Sequence, residues 1–188
     1  MMTHSNLLSS DESLLVIVDL QTKLSAVMSP EMANTTTKNT VRLIEAANQL
    51  DIPMLVTEQY PQGLGATEEI IRNHLAMSTP IFEKTGFSCC ASAEFCDALE
   101  TSERKQIILV GQETHVCILQ TALELLHRSL QVFVVADAVS SRNPEHKFGA
   151  LQRMQQQGVT ITNYESVLFE WLRTASHPKF KTVSALLR

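Results

Sequence analysis

The chain has 188 residues, of which 44% are hydrophobic and 19% charged, with a formal net charge of -5. That length suits one domain around a single sizeable core, and a mildly acidic chain without a Lys/Arg cluster argues against nucleic acid as the main partner. The opening MMTHSNLLSSDESLL lacks both a basic segment and a long apolar run, and no later run is long enough to span a bilayer, so neither a signal peptide nor a membrane partner is expected.

In chain order, Leu14 to Val18 is an apolar, β-branched run of the kind found in strands buried on both faces, and Asp19 follows directly. Pro30 and the Thr35–Thr37 cluster precede a helix expected from about Thr37 to Leu50, where Val41, Ile44, Ala47 and Leu50 recur at helical spacing. Met54 to Thr57 is a second strand. Glu58 to Gly65 is a loop by its Pro and Gly, and a short helix near Glu68–Asn73 follows. Pro80 to Glu83 is a third strand closed by Lys84, with a loop at Thr85 to Ser88. Ser92 is placed to cap a helix through Leu99.

Gln106 to Val110 is a fourth strand. Gly111 ends it, Gln112 to Thr114 form a turn, and an apolar helix runs to about Arg128 with Cys117 in its first turn. Val132 to Ala136 is a fifth strand ending at Asp137, a residue expected to cap turn hydrogen bonds at Ser140–Ser141. Asn143-Pro144 opens a helix that Gly158 stops, and Val159 to Thr162 is a sixth strand. Two helices, near 165–175 and 179–187, finish the chain. Six strand–helix alternations without a composition break predict one domain over 1–188, with a core at about 13–175 and a C-terminal helical segment at 176–188. The expected fold is a three-layer α/β/α sandwich around a six-stranded, mainly parallel, doubly wound sheet.

Right-handed crossovers put the loops after the strands on one rim, where open α/β sheets bind ligands. That rim gathers Asp19, Lys84 and Cys117. A carboxylate can take a proton from a thiol, an ammonium favours the ionised forms of both, and backbone N–H groups before a helix can hold an oxyanion. Together these types complete a nucleophilic hydrolase. Singly, each has an ordinary reading: a buried small helix residue for Cys117, a solvated lysine for Lys84, a paired strand-end carboxylate for Asp19. Of the four cysteines, Cys89, Cys90, Cys96 and Cys117, none forms a C-x-x-C pair, so the expectation is a cytoplasmic protein with reduced thiols.

Leu15 to Gln21 (LVIVDLQ), Phe82-Glu83-Lys84 and Val110 to Cys117 (VGQETHVC) resemble the three signature segments of the isochorismatase-like cysteine hydrolases. Thr57 to Gly65, Lys84 to Ser88 and the ending His177 to Leu186 are similar to the isochorismatase-domain-containing subgroup, whose substrates are largely unassigned. The similarity runs from about Ser13 to the last residue. It implies Asp19 as general base, Cys117 as nucleophile and Lys84 as the residue that holds and polarises both. It also implies a cis peptide at Gln112–Glu113 that aims the Glu113 amide to join the Cys117 amide as an oxyanion hole. No cofactor follows from it. The Asp-x-His…His metal site of the nicotinamidase branch has no counterpart in Thr57 to Pro61, so no metal is expected.

The implied activity is hydrolysis of a small amide or ester through a thioester, with a small carbonyl compound as substrate and a homo-oligomer, dimer or higher, as the assembly. The alternatives are vinyl-ether hydrolysis through Asp19 and Lys84, and a binding or scaffold protein on the same fold. Gln21, Tyr60 and Phe87, on or beside the rim loops, are candidate substrate contacts. His115, Trp171 and Phe169 are expected in structural roles, and Cys89 and Cys90 as bystanders.

Overall fold

The computed structural model describes residues 6–187, so the ends of the expected domain, residues 1–5 and 188, lie outside the described residues. Its elements are β1 (Ser13–Val18), α1 (Thr22–Ser25), α2 (Pro30–Gln49), β2 (Met54–Gln59), α3 (Pro61–Leu64), α4 (Glu69–Arg72), β3 (Ile81–Lys84), α5 (Ala93–Thr101), β4 (Gln106–Gln112), α6 (Leu119–His127), β5 (Gln131–Ser140), α7 (Pro144–Gln156), β6 (Thr160–Thr162), α8 (Tyr164–Leu172) and α9 (Phe180–Ser184). The sheet has the order β3-β2-β1-β4-β5-β6, and every pairing in it is parallel. The chain winds outward from β1 in one direction and from β4 in the other. Their carboxyl ends therefore flank the crevice where strand order reverses.

Strand periodicity divides the core into two layers. Leu15 and Ile17 of β1 face a cluster with Leu43, Ile44 and Trp171, while Leu14, Val16 and Val18 face one with Phe95, Ile118 and Leu125. Trp171 meets its polar need by donating from Nε1 to Ser13 Oγ at 2.9 Å. Phe169, on the same helix, is 41% exposed. Among the described residues no helix is long and apolar enough to cross a membrane.

Several boundaries differ from the sequence expectation. The helix expected from Thr37 begins at Pro30, because Ser29 accepts a hydrogen bond from the Met32 amide and proline suits the first turn. Glu58 and Gln59, expected in a loop, continue β2 by pairing with Glu83 and Lys84. Strand β4 runs past Gly111 to Gln112, and β5 continues to Ser140. Between β4 and β5 the register jumps from Leu109–Val134 to Gly111–Val139, so β5 bulges and Asp137 lies inside the element. Asp137 then accepts from the Tyr164 amide at 2.9 Å, which replaces the expected turn at Ser140–Ser141. Ser92 does cap α5, accepting from the Phe95 amide. Of the two C-terminal helices, α8 ends early, at Leu172, while α9 passes at Ser184 into a 3₁₀ turn, Ala185–Leu187, that reaches the expected end.

Candidate active site

Asp19 follows the last residue of β1 in a left-handed conformation, with φ of 49°. Its amide donates to the Thr57 carbonyl at 3.1 Å, and its Oδ1 accepts from the Thr57 hydroxyl at 2.8 Å. Its Oδ2 pairs with Lys84 Nζ at 2.7 Å, and both side chains are fully buried. The ammonium also donates to Gln59 Oε1 at 2.7 Å and to the Phe87 carbonyl at 3.0 Å. A buried pair persists only when its remaining donors and acceptors are filled. Thr57 and Gln59, two apart on one face of β2, do that for Asp19 and Lys84 respectively.

Cys117 lies 5% exposed in a π-helical turn, Thr114–Ile118, that leads into α6. Ahead of it the Gln112–Glu113 peptide is cis, and the amides of Val116 and Ile118 both donate to the Glu113 carbonyl. The thiol lies near enough to Asp19, Lys84 and Cys89 to feel their charges. Burial, then the Asp19 charge, push its pKa well above the usual thiol range, against the pull of Lys84. For Lys84 burial is the largest influence and opposes the charge. Asp19, with the thiols of Cys117 and Cys89, outweighs it and leaves the ammonium pKa raised. The resting site is thus a protonated thiol beside a carboxylate–ammonium pair.

A family model for the isochorismatase domain matches residues 13–166. The chain belongs to the isochorismatase family. Among its relatives, isochorismatase domain-containing protein 2A of Mus musculus is 38% identical over 180 residues, covering 95% of this chain and 84% of that one. Isochorismatase family protein 1A of Dictyostelium discoideum is 37% identical over 183 residues, covering 95% and 87%. The solved structure of MAR1 ribonuclease from Caenorhabditis elegans superposes with a TM-score of 0.90 at 41% identity, over 96% of this chain and 91% of that one. The Escherichia coli YcaC protein, described as an octameric hydrolase of unknown specificity, shares the fold with a TM-score of 0.90 at 22% identity, over 100% and 91%.

Within this isochorismatase fold, Asp19, Lys84 and Cys117 come from three separate strand ends into one buried cluster. The other candidates fall differently. Gln21 is fully buried, and its amide is spent on backbone. Nε2 donates to the Gln59 and Gly65 carbonyls, and Oε1 accepts from the Gln59 amide. It braces β2 against the following loop. Tyr60 is 53% exposed and lines a cleft of about 260 Å³ with Gln62, Glu83, Lys84 and Thr85, on the β3 side of the site. Phe87 is equally exposed, and its carbonyl serves the Lys84 ammonium. His115 turns to Ser141 Oγ at 3.0 Å and its ring lies 4.9 Å from that of His146.

Thr57, Gln59, Cys89, the Gln112 side chain and Arg142 were not legible as site residues. Cys89, expected as a bystander, is fully buried, with its sulfur 3.6 Å from Thr57 Oγ1. The Gln112 side-chain amide ties the Asp19 carbonyl to Ser25 and Ser140. A buried polar pair on β2 was a usable signal for Thr57 and Gln59. Glu113 and Arg142, 29 positions apart, gave none.

The Glu113 carboxylate accepts from the Arg142 amide at 2.9 Å, from Nε at 3.0 Å and from Nη2 at 2.6 Å. Burial disfavours its charge, but these bonds and the guanidinium charge prevail, holding its pKa below the usual 4.5. A carboxylate depressed by folding stabilises the protein above its unfolded pKa and loses that contribution as pH falls through the folded value. The melting-temperature deficit of Arg142→Ala is therefore expected to be full at pH 7 and to close progressively below about pH 4.5. A deficit constant from pH 7 to pH 3 would show that the clamp on Glu113 is not electrostatic.

Proposed function

We propose that the protein is a cysteine-dependent hydrolase of a small amide or ester. The observation that carries the proposal is the fully buried Asp19–Lys84 pair at the crevice between β1 and β4, with the Cys117 thiol near enough to feel both charges. A thiol held protonated must lose its proton as it attacks, and Asp19 is placed to take it. The sulfur adds to the substrate carbonyl carbon while its proton passes to Asp19. The negative oxygen is met by the amides of Glu113 and Cys117. Collapse expels the amine or alcohol, which takes the proton from Asp19, and leaves a thioester on Cys117. Asp19 then takes a proton from water, whose oxygen attacks the thioester. The carboxylic acid leaves and the thiol regains its proton.

Lys84 keeps its charge throughout, because its donors are committed to Asp19, Gln59 and the Phe87 carbonyl. Its part is to hold Asp19 ionised until the thiol proton arrives, and to favour the thiolate once it forms. The four unbridged thiols support a reducing, cytoplasmic setting, and self-association of the kind that YcaC displays belongs to the same reading.

The name of the Caenorhabditis elegans neighbour raises a second reading, phosphodiester cleavage in RNA. A chain of net charge -5 offers little to attract a polyphosphate, which favours the carbonyl reading. The test is to incubate the protein with a panel of small amides and esters, quench in acid and measure the intact mass. An acyl group on Cys117 is expected, together with its absence and loss of turnover in Cys117→Ala. Unchanged turnover in Cys117→Ala would sink the thioester route. RNA cleavage that ignores the same substitution would replace it with the second reading.

A further inference from the structure

Cys89 is a buried thiol that the proposed hydrolysis does not use, and its placement is specific. It opens a short 3₁₀ turn, Cys89–Ala91, capped by Ser88. Its amide donates to Thr121 Oγ1 at 2.9 Å, and Thr121 lies one turn beyond Cys117 on the same helical run, where residues four apart are neighbours. Its sulfur points to Thr57 Oγ1 at 3.6 Å, and that hydroxyl donates to Asp19 Oδ1 at 2.8 Å. Cys117, in turn, feels the charges of the same Asp19 and of Cys89. The two thiols therefore lie beside one carboxylate, within a single buried cluster.

We propose that Cys89 is a resolving thiol for Cys117, so that a hydroperoxide converts the pair into a disulfide and switches the site off reversibly. In the first step the Cys117 sulfur attacks the distal peroxide oxygen. The O–O bond breaks, the alcohol (or water, from hydrogen peroxide) leaves with the thiol proton, and Cys117 becomes a sulfenic acid. In the second, the Cys89 sulfur attacks the Cys117 sulfur. The S–O bond breaks and hydroxide leaves as water, taking the Cys89 proton by way of Asp19. The two thiols lose two electrons and two protons in all, and the hydroperoxide gains them.

Burial, and after it the Asp19 charge, lift the Cys89 pKa to about 12. Cys89 thus rests as a neutral thiol, and it finds an electrophile when its neighbour is oxidised. The inference needs Cys117 only as an oxidisable thiol and does not depend on the proposed hydrolysis.

A second thiol pair offers a competing product. Cys90 and Cys96 are partly exposed, with Cys96 Sγ 3.5 Å from the Cys90 carbonyl and accepting from Arg128 Nη2 at 3.3 Å. The experiment removes it by using full-length Cys90→Ser/Cys96→Ser protein. This protein is treated with hydrogen peroxide, denatured in iodoacetamide and weighed intact. The expected product is lighter by about 2 Da, takes up no alkyl groups, and recovers both thiols with dithiothreitol.

Adding Cys89→Ala to the same background is expected to leave Cys117 to over-oxidise to the sulfinic acid, a gain of about 32 Da that dithiothreitol does not reverse. Cys89→Ser serves if the alanine variant fails to fold. In unsubstituted protein, fragmentation between Cys89 and Cys90 should place the link at Cys89. Alkylation of both thiols after peroxide would overturn the proposal, as would equal sulfinate formation with and without Cys89. A link in unsubstituted protein found at Cys90–Cys96 alone would do so as well.

Discussion

Replacing Lys84 by Met is expected to lower stability by about 3–5 kcal/mol, the usual result of leaving a buried charge without its partner. The same substitution should cut turnover by roughly 100- to 10,000-fold, the range that a positioned acid–base group supplies. Both follow from one contact. Asp19 and Lys84 are 2.7 Å apart with no side-chain exposure, so without the ammonium the carboxylate must take up a proton or draw in water. A protonated Asp19 cannot receive the Cys117 proton, and the base is lost together with the ion pair.

The double variant Asp19→Asn/Lys84→Met separates the two effects. A neutral pair should regain much of the lost stability, because neither side then carries an unpaired charge, while turnover stays lost. Chemical denaturation of wild type, both single variants and the double variant closes the cycle. Additive stability losses would mean that the pair is not coupled, and a turnover in Lys84→Met near that of wild type would remove Lys84 from the proposed mechanism.

Gly111→Ala is expected to destabilise the protein by about 3–6 kcal/mol, from overpacking and a backbone angle that side chains avoid. Gly111 has φ of 116°, and a Cβ built there would fall 2.0 Å from the Val18 carbonyl oxygen. The neighbour is backbone in the central β1–β4 pairing, where Val18 and Gly111 are in register, so it cannot swing aside. For a chain of this size the loss corresponds to a fall in melting temperature of roughly 10–20 °C, read by circular dichroism or calorimetry. Gly149→Ala is the control. A Cβ there meets nothing within 4 Å, and alanine inside a helix is favoured over glycine by about 0.5–1 kcal/mol. A Gly111→Ala midpoint within a degree or two of wild type would show that β1 and β4 can move apart, and that the close approach is not required.

The strands were legible because parallel strands buried on both faces are nearly continuous apolar runs. LLVIV and IILV announce themselves. Their ends were less so, since Glu58, Gln59 and Asp137 are polar residues inside strands. Pairing with β3 explains the first two, and the register jump beside Leu109 explains the third. Neither is visible in a single stretch of chain.

The site divides in the same way. A carboxylate, an ammonium and a thiol at the ends of β1, β3 and β4 carry their chemistry in their residue types. The residues that fill their remaining valences do not. Gln59 serves Lys84 because β2 and β3 set them opposite each other, and Arg142 serves Glu113 because two rim loops meet. Cys89 reaches Asp19 through Thr57, which is 32 residues from Cys89 and 38 from Asp19.

The fully buried ion pair has a consequence for the field outside the protein. Before attack the three groups carry -1 on Asp19, +1 on Lys84 and none on the thiol. After the proposed transfer Asp19 is neutral, Lys84 is still +1 and the sulfur carries -1. The sum is zero in both states, and the proton travels only between adjacent side chains. Solvent ions meet an unchanged surface at the moment the nucleophile is made, so the chemical step would be insulated from ionic strength and from the acidic character of the rest of the chain.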